Sequence, residues 1–372
     1  MSALSSLKLF QPDAVQPDNA EPAAPPAITL EDFFSNTYCQ TRPQLRSGTV
    51  TDYHLEIRKF SRWLSGEMRV DPPYQTRQNP RDESRVATLA DCNDDTLTRY
   101  IAALLVTKDP PQSEATVKKA RNTILAMWRM AWLKKKVDEF PRDVPEVSVP
   151  KRRPQAWRPE EMDKLLAACA RREPYQARGR AWLSDGEWDA RHWTALVLTL
   201  YDTSLRVNAA LQVPLVNLNL QTGMLLTSAA QQKHGNDELQ QLHAETLEAI
   251  AKMLATRRWA KAGKPAPKGE LLFACPFKSM TLWRHFTAIL VDAGLPAGRR
   301  DKFHKIRRTT YTYTNALLGR DAATQQAGHS ADLSRFYLDT ALSNEIAGKP
   351  VPTSVLPRPK PPKFDGKQLE LF

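Results

Sequence analysis

Residues 303–337 read FHKIRRTTYTYTNALLGRDAATQQAGHSADLSRFY. His304 and Arg307 are three positions apart, so they share one face if this stretch begins as a helix. A second histidine, His329, and a tyrosine, Tyr337, follow the helical run. Because arginine and histidine side chains donate hydrogen bonds to anions, the stretch predicts an anion site beside a tyrosine.

The order of these residues resembles the C-terminal motif block of the tyrosine recombinase (phage integrase) family, which has His-x-x-Arg, then Gly-His, then a tyrosine nucleophile. That family also uses an arginine at the start of its catalytic core and a lysine in a β-hairpin between the two motifs. Arg206, in the turn that begins at Thr203, resembles the arginine motif, and Lys233 lies at an expected hairpin tip. The motifs follow the family's order over about half of the chain.

The resemblance implies DNA strand exchange in which Tyr337 holds the DNA 3′-phosphate covalently. Its transition state carries extra negative charge, so catalysis depends on positioning and charge stabilisation. Arg206 and Arg307 would clamp the phosphate, because a guanidinium grips two oxygens and stays charged at any working pH.

The remaining site residues would move protons. His304 and His329 would donate hydrogen bonds, and either could accept the phenol proton. Lys233 would protonate the leaving 5′-oxygen. The bond energy is stored in the phosphotyrosine, so the resemblance implies neither a metal nor another cofactor.

Two departures from the family pattern stand out. Ala209 occupies the position, three after the first arginine, where the family often has an acid. The gap from His329 to Tyr337 is eight residues (337 − 329), one shorter than the family leads us to expect. Tyr311 and Tyr313 are rival nucleophiles, but they fall in an apolar helical run where we expect burial.

These departures keep two other functions open. One is a catalytically weak or inactive DNA-binding protein with the recombinase fold. The other is a monomeric enzyme that nicks and reseals one duplex, like the type IB topoisomerases. Each site residue also has an ordinary structural interpretation: Arg206 as a cap, Lys233 as a solvated hairpin lysine and Tyr337 as a core aromatic residue.

The composition favours a polyanionic partner. The 372 residues carry a formal net charge of +12, which suits DNA, RNA or an acidic membrane surface. No apolar run is long enough to span a bilayer, and the N-terminus lacks a signal pattern. The four cysteines are scattered without zinc or disulfide spacing. We therefore expect a cytoplasmic location, in the cytosol or nucleoid.

The pattern of elements predicts a mainly α-helical chain with a small antiparallel sheet. With the resemblance, it becomes a helical core-binding domain followed by an α+β tyrosine recombinase catalytic domain. The expected segments are a flexible leader over 1–27, the helical domain over 28–145, a basic linker over 146–156, the catalytic domain over 157–347 and a Pro/Lys-rich tail over 348–372.

Apolar residues spaced by three and four predict the helices. In the first domain these cover 49–64, 96–105 and 115–136, with a loop over 69–85. In the second domain they cover 157–171, 188–201, 244–257, 279–293, 304–318 and 321–326. Alternating apolar residues predict strands over 213–220, 224–228 and 238–242.

Basic residues outside the motif block predict contacts to the DNA backbone. They lie on the last helix of the first domain and in the linker: Lys118, Lys119, Arg121, Lys151, Arg152 and Arg153. With double-stranded DNA as partner, the resemblance implies a homotetramer acting on two DNA sites.

The end of the chain carries two further motifs. A short helix over 338–347 would, by the resemblance, pack on a neighbouring protomer and couple sites in the tetramer. The last five residues resemble the peptide by which many bacterial proteins dock into the replicative sliding clamp. Its anchors here are Gln368, Leu369, Leu371 and Phe372.

Overall fold

The computed structural model describes residues 27–64, 86–107, 112–150, 153–176, 187–231, 237–328 and 335–347. The chain divides into two compact units, Met1–Lys151 and Arg152–Phe372, and each builds its own apolar core. No helix in the described part of the chain is long and apolar enough to cross a membrane. Several sequence predictions lie outside the described residues: the leader, the loop over 69–85, Lys151, Arg152, Lys233, His329 and the tail with Gln368, Leu369, Leu371 and Phe372.

In the described residues of the N-terminal unit, all named elements are helices or helical turns. Its elements are α1 (Leu30–Phe33) with a π-helical turn (Phe34–Tyr38), α2 (Ser47–Leu64), a 3₁₀ turn (Leu89–Asp91), α3 (Asp94–Ala102) with a π-helical turn (Ala103–Thr107), and α4 (Glu114–Leu133). Asn93 caps α3 by accepting a hydrogen bond from Thr96 N at 2.9 Å. The predicted helix over 96–105 therefore begins earlier and ends in the π-helical turn.

The core of the N-terminal unit is built on α4, whose buried face carries Val117, Ile124, Met127 and Ala131. These positions are separated by three, four or seven residues, the spacing of one helix face, as the sequence predicted. Trp128 is also buried and donates its indole hydrogen to Glu139 O at 2.8 Å. This contact fixes the chain that leaves α4 against the helix.

The C-terminal unit is mainly helical with two small sheets. Its helices are α5 (Pro159–Ala170), α6 (Ala190–Thr203), α7 (Val207–Ala210), α8 (Ala244–Leu254), α9 (Arg258–Lys261), α10 (Ser279–Asp292), α11 (Phe303–Leu318), α12 (Arg320–Gln326) and α13 (Thr340–Ile346). Its strands are β1 (Tyr175–Gln176), β2 (Glu187–Trp188), β3 (Leu218–Asn219), β4 (Met224–Thr227) and β5 (Glu238–Gln241). The predicted fold class, helices with a small antiparallel sheet, is confirmed.

The sheet β3-β4-β5 is antiparallel throughout, and Leu225 pairs with Leu218 on one side and Gln240 on the other. The predicted first strand over 213–220 was too long. Pro214 makes only an isolated bridge, and Leu215–Asn217 form a 3₁₀ turn. Proline has no amide hydrogen to donate to a ladder, and regular pairing with β4 is limited to Leu218–Asn219.

Helix α6 lies at the centre of the C-terminal unit and is buried along nearly its whole length. A helix that is apolar on all sides is typical of such a central position. Helix α11 packs along it, and Thr310 Oγ1 donates to Tyr201 O at 2.8 Å. The packing fixes the end of α6 beside the first turns of α11.

Helix α13 packs on its own unit. Leu342 and Ile346 enter the core, and the guanidinium of Arg158 binds both carboxylate oxygens of Glu345 at 2.9 and 3.0 Å. The predicted short helix is confirmed, and its implied packing on a neighbouring protomer stays a prediction.

Candidate active site

The end of α6 aims Arg206. Ser204 has a φ of 53°, a left-handed conformation that ends the helix and turns the chain. Arg206 then becomes the N-cap residue of α7. No described residue accepts a hydrogen bond from the Arg206 side chain, which lines a cleft of about 690 Å³. This leaves its guanidinium available to a ligand.

Arg307 lies on α11 and is only 2% exposed. One terminal nitrogen donates to Ser204 O and the other to Ala327 O. The side chain thus joins the turn before Arg206 to the end of α12. Its Nε is buried without a hydrogen-bond partner among the described residues, and an unmade buried hydrogen bond costs about 1–3 kcal/mol.

The expected clamp is therefore asymmetric. Arg206 presents a whole guanidinium to the cleft, while the paired ends of Arg307 are already held by backbone carbonyls. Burial, as the largest cause, lowers the pKa of Arg307 below its ordinary value. Its chief geometric effect is to fix the residues around it.

Tyr337 packs between the two motif residues of α11. Its ring centroid lies 5.1 Å from the guanidinium carbon of Arg307 and 5.3 Å from the centroid of the His304 ring. The residue is 7% exposed and lines the cleft. Thr312 Oγ1 accepts a hydrogen bond from Asp339 N at 3.0 Å, which holds the chain just after the tyrosine.

The imidazole of His304 is neutral at pH 7. The residue is exposed as a whole, but it lines the cleft, where neighbouring side chains replace part of the water around its ring. This desolvation, followed by the charges of Arg308, Arg307 and Arg206, lowers its pKa to about 4. A neutral imidazole has one nitrogen that accepts a proton, so His304 is chemically suited to take the phenol proton.

The rival tyrosines are enclosed. Tyr311 and Tyr313 are both buried, as the sequence predicted. The hydroxyl of Tyr311 shares a hydrogen bond with Thr324 at 3.1 Å. Burial raises the pKa of Tyr313 well above its usual range. Among the described lining of the cleft, neither residue is found.

The cleft contains more positive charge than the motifs alone predict. Arg153, Arg300 and Arg308 line it together with Arg206, and Asp301 is the described acid in the lining. Asp301 is already engaged by Lys305 at 3.2 Å. Arg308 follows the motif arginine directly, which was a usable signal, whereas Arg300 reaches the cleft from the loop before α11.

Lys233 and His329 belong to the predicted site but lie outside the described residues. In the sequence, Lys233 falls in the connection between β4 and β5, and His329 directly follows Gly328. Their catalytic roles stay predictions.

The basic residues predicted on α4 have partners within the N-terminal unit. Lys119 pairs with Asp52 at 3.0 Å and Lys118 with Glu146 at 3.5 Å. Arg121 donates to Pro145 O at 2.6 Å and to Val144 O at 2.9 Å, and so anchors the segment after α4. Exposed ion pairs break at little cost, so DNA binding by the two lysines stays a prediction, and Arg121 has a structural role besides.

A model of the phage integrase family matches residues 156–334. The match covers 179 residues (334 − 156 + 1), which lie within the C-terminal unit. The matched segment of the integrase domain contains Arg206, Lys233, His304, Arg307 and His329, and it ends three residues (337 − 334) before Tyr337. No curated protein sequence matches the chain.

Solved structures extend the likeness to both units. The XerH site-specific recombinase on a palindromic difH substrate matches with a TM-score of 0.55 and 18% identity, over 86% of this chain and 84% of that one. A lambda integrase dimer on a core site, residues 75–356, matches with a TM-score of 0.55 and 18% identity, over 88% and 100%. The Tn1549 transposon integrase matches with a TM-score of 0.54 and 13% identity, over 86% and 99%. At these identities the likeness establishes the fold.

Proposed function

We propose that this chain is a site-specific DNA recombinase that breaks and rejoins duplex DNA through a 3′-phosphotyrosine at Tyr337. The observation that carries the proposal is the meeting of Tyr337, His304 and Arg307 beside an arginine-lined cleft. The integrase domain and the recombinase fold support the same reaction class.

In the cleavage step, the Tyr337 oxygen attacks the scissile phosphorus and the bond to the 5′-oxygen breaks. The phenol proton passes to His304, whose neutral ring can accept it, or to His329. Lys233 protonates the departing 5′-oxygen. Strand exchange reverses the step, because the 5′-hydroxyl of another strand attacks the phosphotyrosine and releases the phenol.

Charge stabilisation comes from several arginines. Arg206 approaches the phosphate from the cleft, with Arg308 and Arg300 on the same lining. Arg307 binds the turn before Arg206 through Ser204 O and packs against the ring of Tyr337, so it positions both residues. Fixed charges that need no rearrangement during the reaction are the most effective kind of electrostatic catalysis.

The partners follow from the reaction. A lambda integrase structure is a tetramer on a Holliday junction, with a TM-score of 0.55 and 16% identity. By that likeness we propose double-stranded DNA as substrate and a homotetramer on two sites, working in the cytosol or nucleoid. The C-terminal peptide Gln368-Leu369-Glu370-Leu371-Phe372 would add a sliding-clamp contact.

The second candidate is a recombinase-fold protein that binds DNA without cutting it. Ala209 in place of an acid and the burial of Tyr337 favour it. A nicked suicide substrate separates the two functions, because cleavage releases a short strand and leaves the protein covalently trapped. The substrate would carry the natural recombination site, taken from the ends of the element.

We expect a shifted band on a denaturing gel with the wild-type protein and none with Tyr337→Phe. Tyr311→Phe is the matched control, since it removes a buried hydroxyl from the same aromatic cluster and should still form the adduct. Tight DNA binding by the wild type with no adduct at any time would establish the non-catalytic alternative.

A further inference from the structure

The carboxylate of Glu238 lies close enough to Arg206 and Arg307 for their charges to act on it. Glu238 begins β5 opposite Thr227 and is half-buried. A Cβ added to Gly328 would lie 1.9 Å from its Oε1. Gly328 directly follows Ala327, whose carbonyl accepts a hydrogen bond from Arg307. The carboxylate therefore packs one residue away from the contact that orients Arg307.

Gly328 makes this close approach possible. Its φ of 57° is left-handed, and a side chain there would collide with the carboxylate. Glycine is the residue that tolerates both conditions. Because Gly328 has no side chain, the Glu238 carboxylate packs directly against the turn after α12.

A second contact connects Glu238 to the turn before Arg206. The side-chain nitrogen of Gln240 donates to Thr203 O at 2.8 Å and lies 3.5 Å from Glu238 Oε2. Thr203 is the last residue of α6, directly before the turn. The carboxylate is thus linked through Gln240 to the chain that aims Arg206.

The charges fit this arrangement. Burial is the largest cause of the lowered pKa of Arg307; repulsion by Arg206 lowers this pKa further, whereas the charge of Glu238 raises it. Desolvation raises the pKa of Glu238, and the charges of Arg307 and Arg206 lower it. An acid near both guanidiniums reduces the cost of holding two like charges together before a phosphate arrives.

Helix α7 offers no such acid. Ala209 stands three positions after Arg206 and is 5% exposed, with only a methyl group as side chain. We propose that Glu238 is the acidic positioning residue of the Arg206–Arg307 pair, supplied by β5 instead of α7. It acts through the two arginines and does not touch the phosphate. The inference rests on the proposed function.

The test measures adduct formation by the full-length chain on the nicked suicide substrate, at saturating DNA in a single turnover. Glu238→Gln keeps the shape and removes the charge. We expect its cleavage rate constant to fall about tenfold to a hundredfold, the range expected when reacting groups are slightly misplaced. The DNA dissociation constant, from fluorescence anisotropy, should change less than about threefold, because the phosphate contacts remain. Glu238→Asp should recover part of the rate.

The matched control is Glu245→Gln, which makes the same change at an exposed acid in the first turn of α8. Circular dichroism chooses a temperature at which every variant is folded. A Glu238→Gln rate within twofold of the wild type, or a loss equal to that of Glu245→Gln, would overturn the inference.

A second variant tests the inference if the Glu238→Gln protein does not fold. Gly328→Ala pushes the carboxylate away without removing it, so cleavage should slow. In a Glu238→Asp background the shorter side chain leaves room, and Gly328→Ala should cost clearly less. An equal cost in both backgrounds would contradict the inference. A wild type that forms no adduct would refute the proposed function and the inference with it, whereas an active wild type with unaffected Glu238 variants refutes the inference alone.

Discussion

Two buried arginines of the C-terminal unit have opposite surroundings. Arg257 is 1% exposed, meets the carboxylate of Glu270 at 2.8 Å and donates to Leu272 O at 3.1 Å. Arg307 is 2% exposed, but its two terminal nitrogens donate to two backbone carbonyls, and the positive charge of Arg206 lies nearby. The charge of Arg257 is neutralised by a bound carboxylate, whereas among the described residues no carboxylate binds Arg307 directly. Burial alone therefore does not distinguish an arginine that is paired with a carboxylate from one that lies in the candidate site.

The largest expected effect comes from making the same change at both positions. Arg307→Lys replaces a planar fork by an ammonium with a single nitrogen, which does not reproduce the separate bonds of the two guanidinium nitrogens to Ser204 O and Ala327 O. We expect the single-turnover cleavage rate to fall by about a hundredfold or more. Arg257→Lys should leave the rate per folded molecule within about threefold of the wild type. Similar losses in both variants would erase the distinction.

For stability, in contrast to the cleavage rate, we expect a large effect at the Arg257–Glu270 pair. Glu270→Gln removes the carboxylate and leaves the charge of Arg257 buried, which lowers the free energy of unfolding by about 3–5 kcal/mol. Urea denaturation followed by circular dichroism measures the change. Cleavage by the folded fraction should be unaltered. A loss below about 1 kcal/mol, as for exposed pairs, would mean that this arginine is not the structural member of the comparison.

The pH dependence of stability tests the surroundings of His304, where burial and then the charges of Arg308, Arg307 and Arg206 lower the pKa of the imidazole. A lowered pKa means that folded His304 stays neutral down to about pH 4, while histidine in the unfolded chain titrates near pH 6.5. Between these values the unfolded state binds the extra proton, so the histidine destabilises the fold progressively as pH falls. The melting temperature of His304→Gln relative to wild type should therefore rise as pH falls through this window. A constant difference would mean that neither burial nor the arginine charges lower the pKa of His304 in the folded protein.

The smallest effect is expected far from either buried arginine. Lys119→Ala breaks an exposed ion pair with Asp52 and should change the free energy of unfolding by less than about 1 kcal/mol. If Lys119 binds a phosphate, the salt dependence of DNA affinity should weaken by about one unit of slope. An unchanged slope would mean that Lys119 does not bind phosphate and that its ion pair with Asp52 is its only described role.

Sequence reasoning was most accurate where the signal is local. The helix that carries His304 and Arg307 follows from a long apolar repeat, and the observed element, Phe303–Leu318, differs from the prediction by one residue. The helix-ending turn before Arg206 follows from a short polar run. Both signals lie within a few residues of the feature that they predict.

Features that depend on distant residues were missed. Nothing in the sequence connects Glu238 with Gly328, which are ninety positions apart, because their contact exists only once β5 and α12 are packed. Pro214 was read within a strand although it cannot donate to a ladder. The four-residue helices α7 and α9 are too short to show a period. The asymmetry between Arg206 and Arg307 likewise arises from tertiary contacts to backbone carbonyls.

The most direct measurement is to identify the residue that carries the DNA. The trapped complex would be digested with nuclease and protease, and the peptides sequenced by mass spectrometry. We predict a nucleotide bound through phosphate to Tyr337, the tyrosine that packs against His304 and Arg307. A nucleotide on Tyr311, Tyr313 or any other residue would contradict it, as would a complex that binds DNA and never becomes covalent.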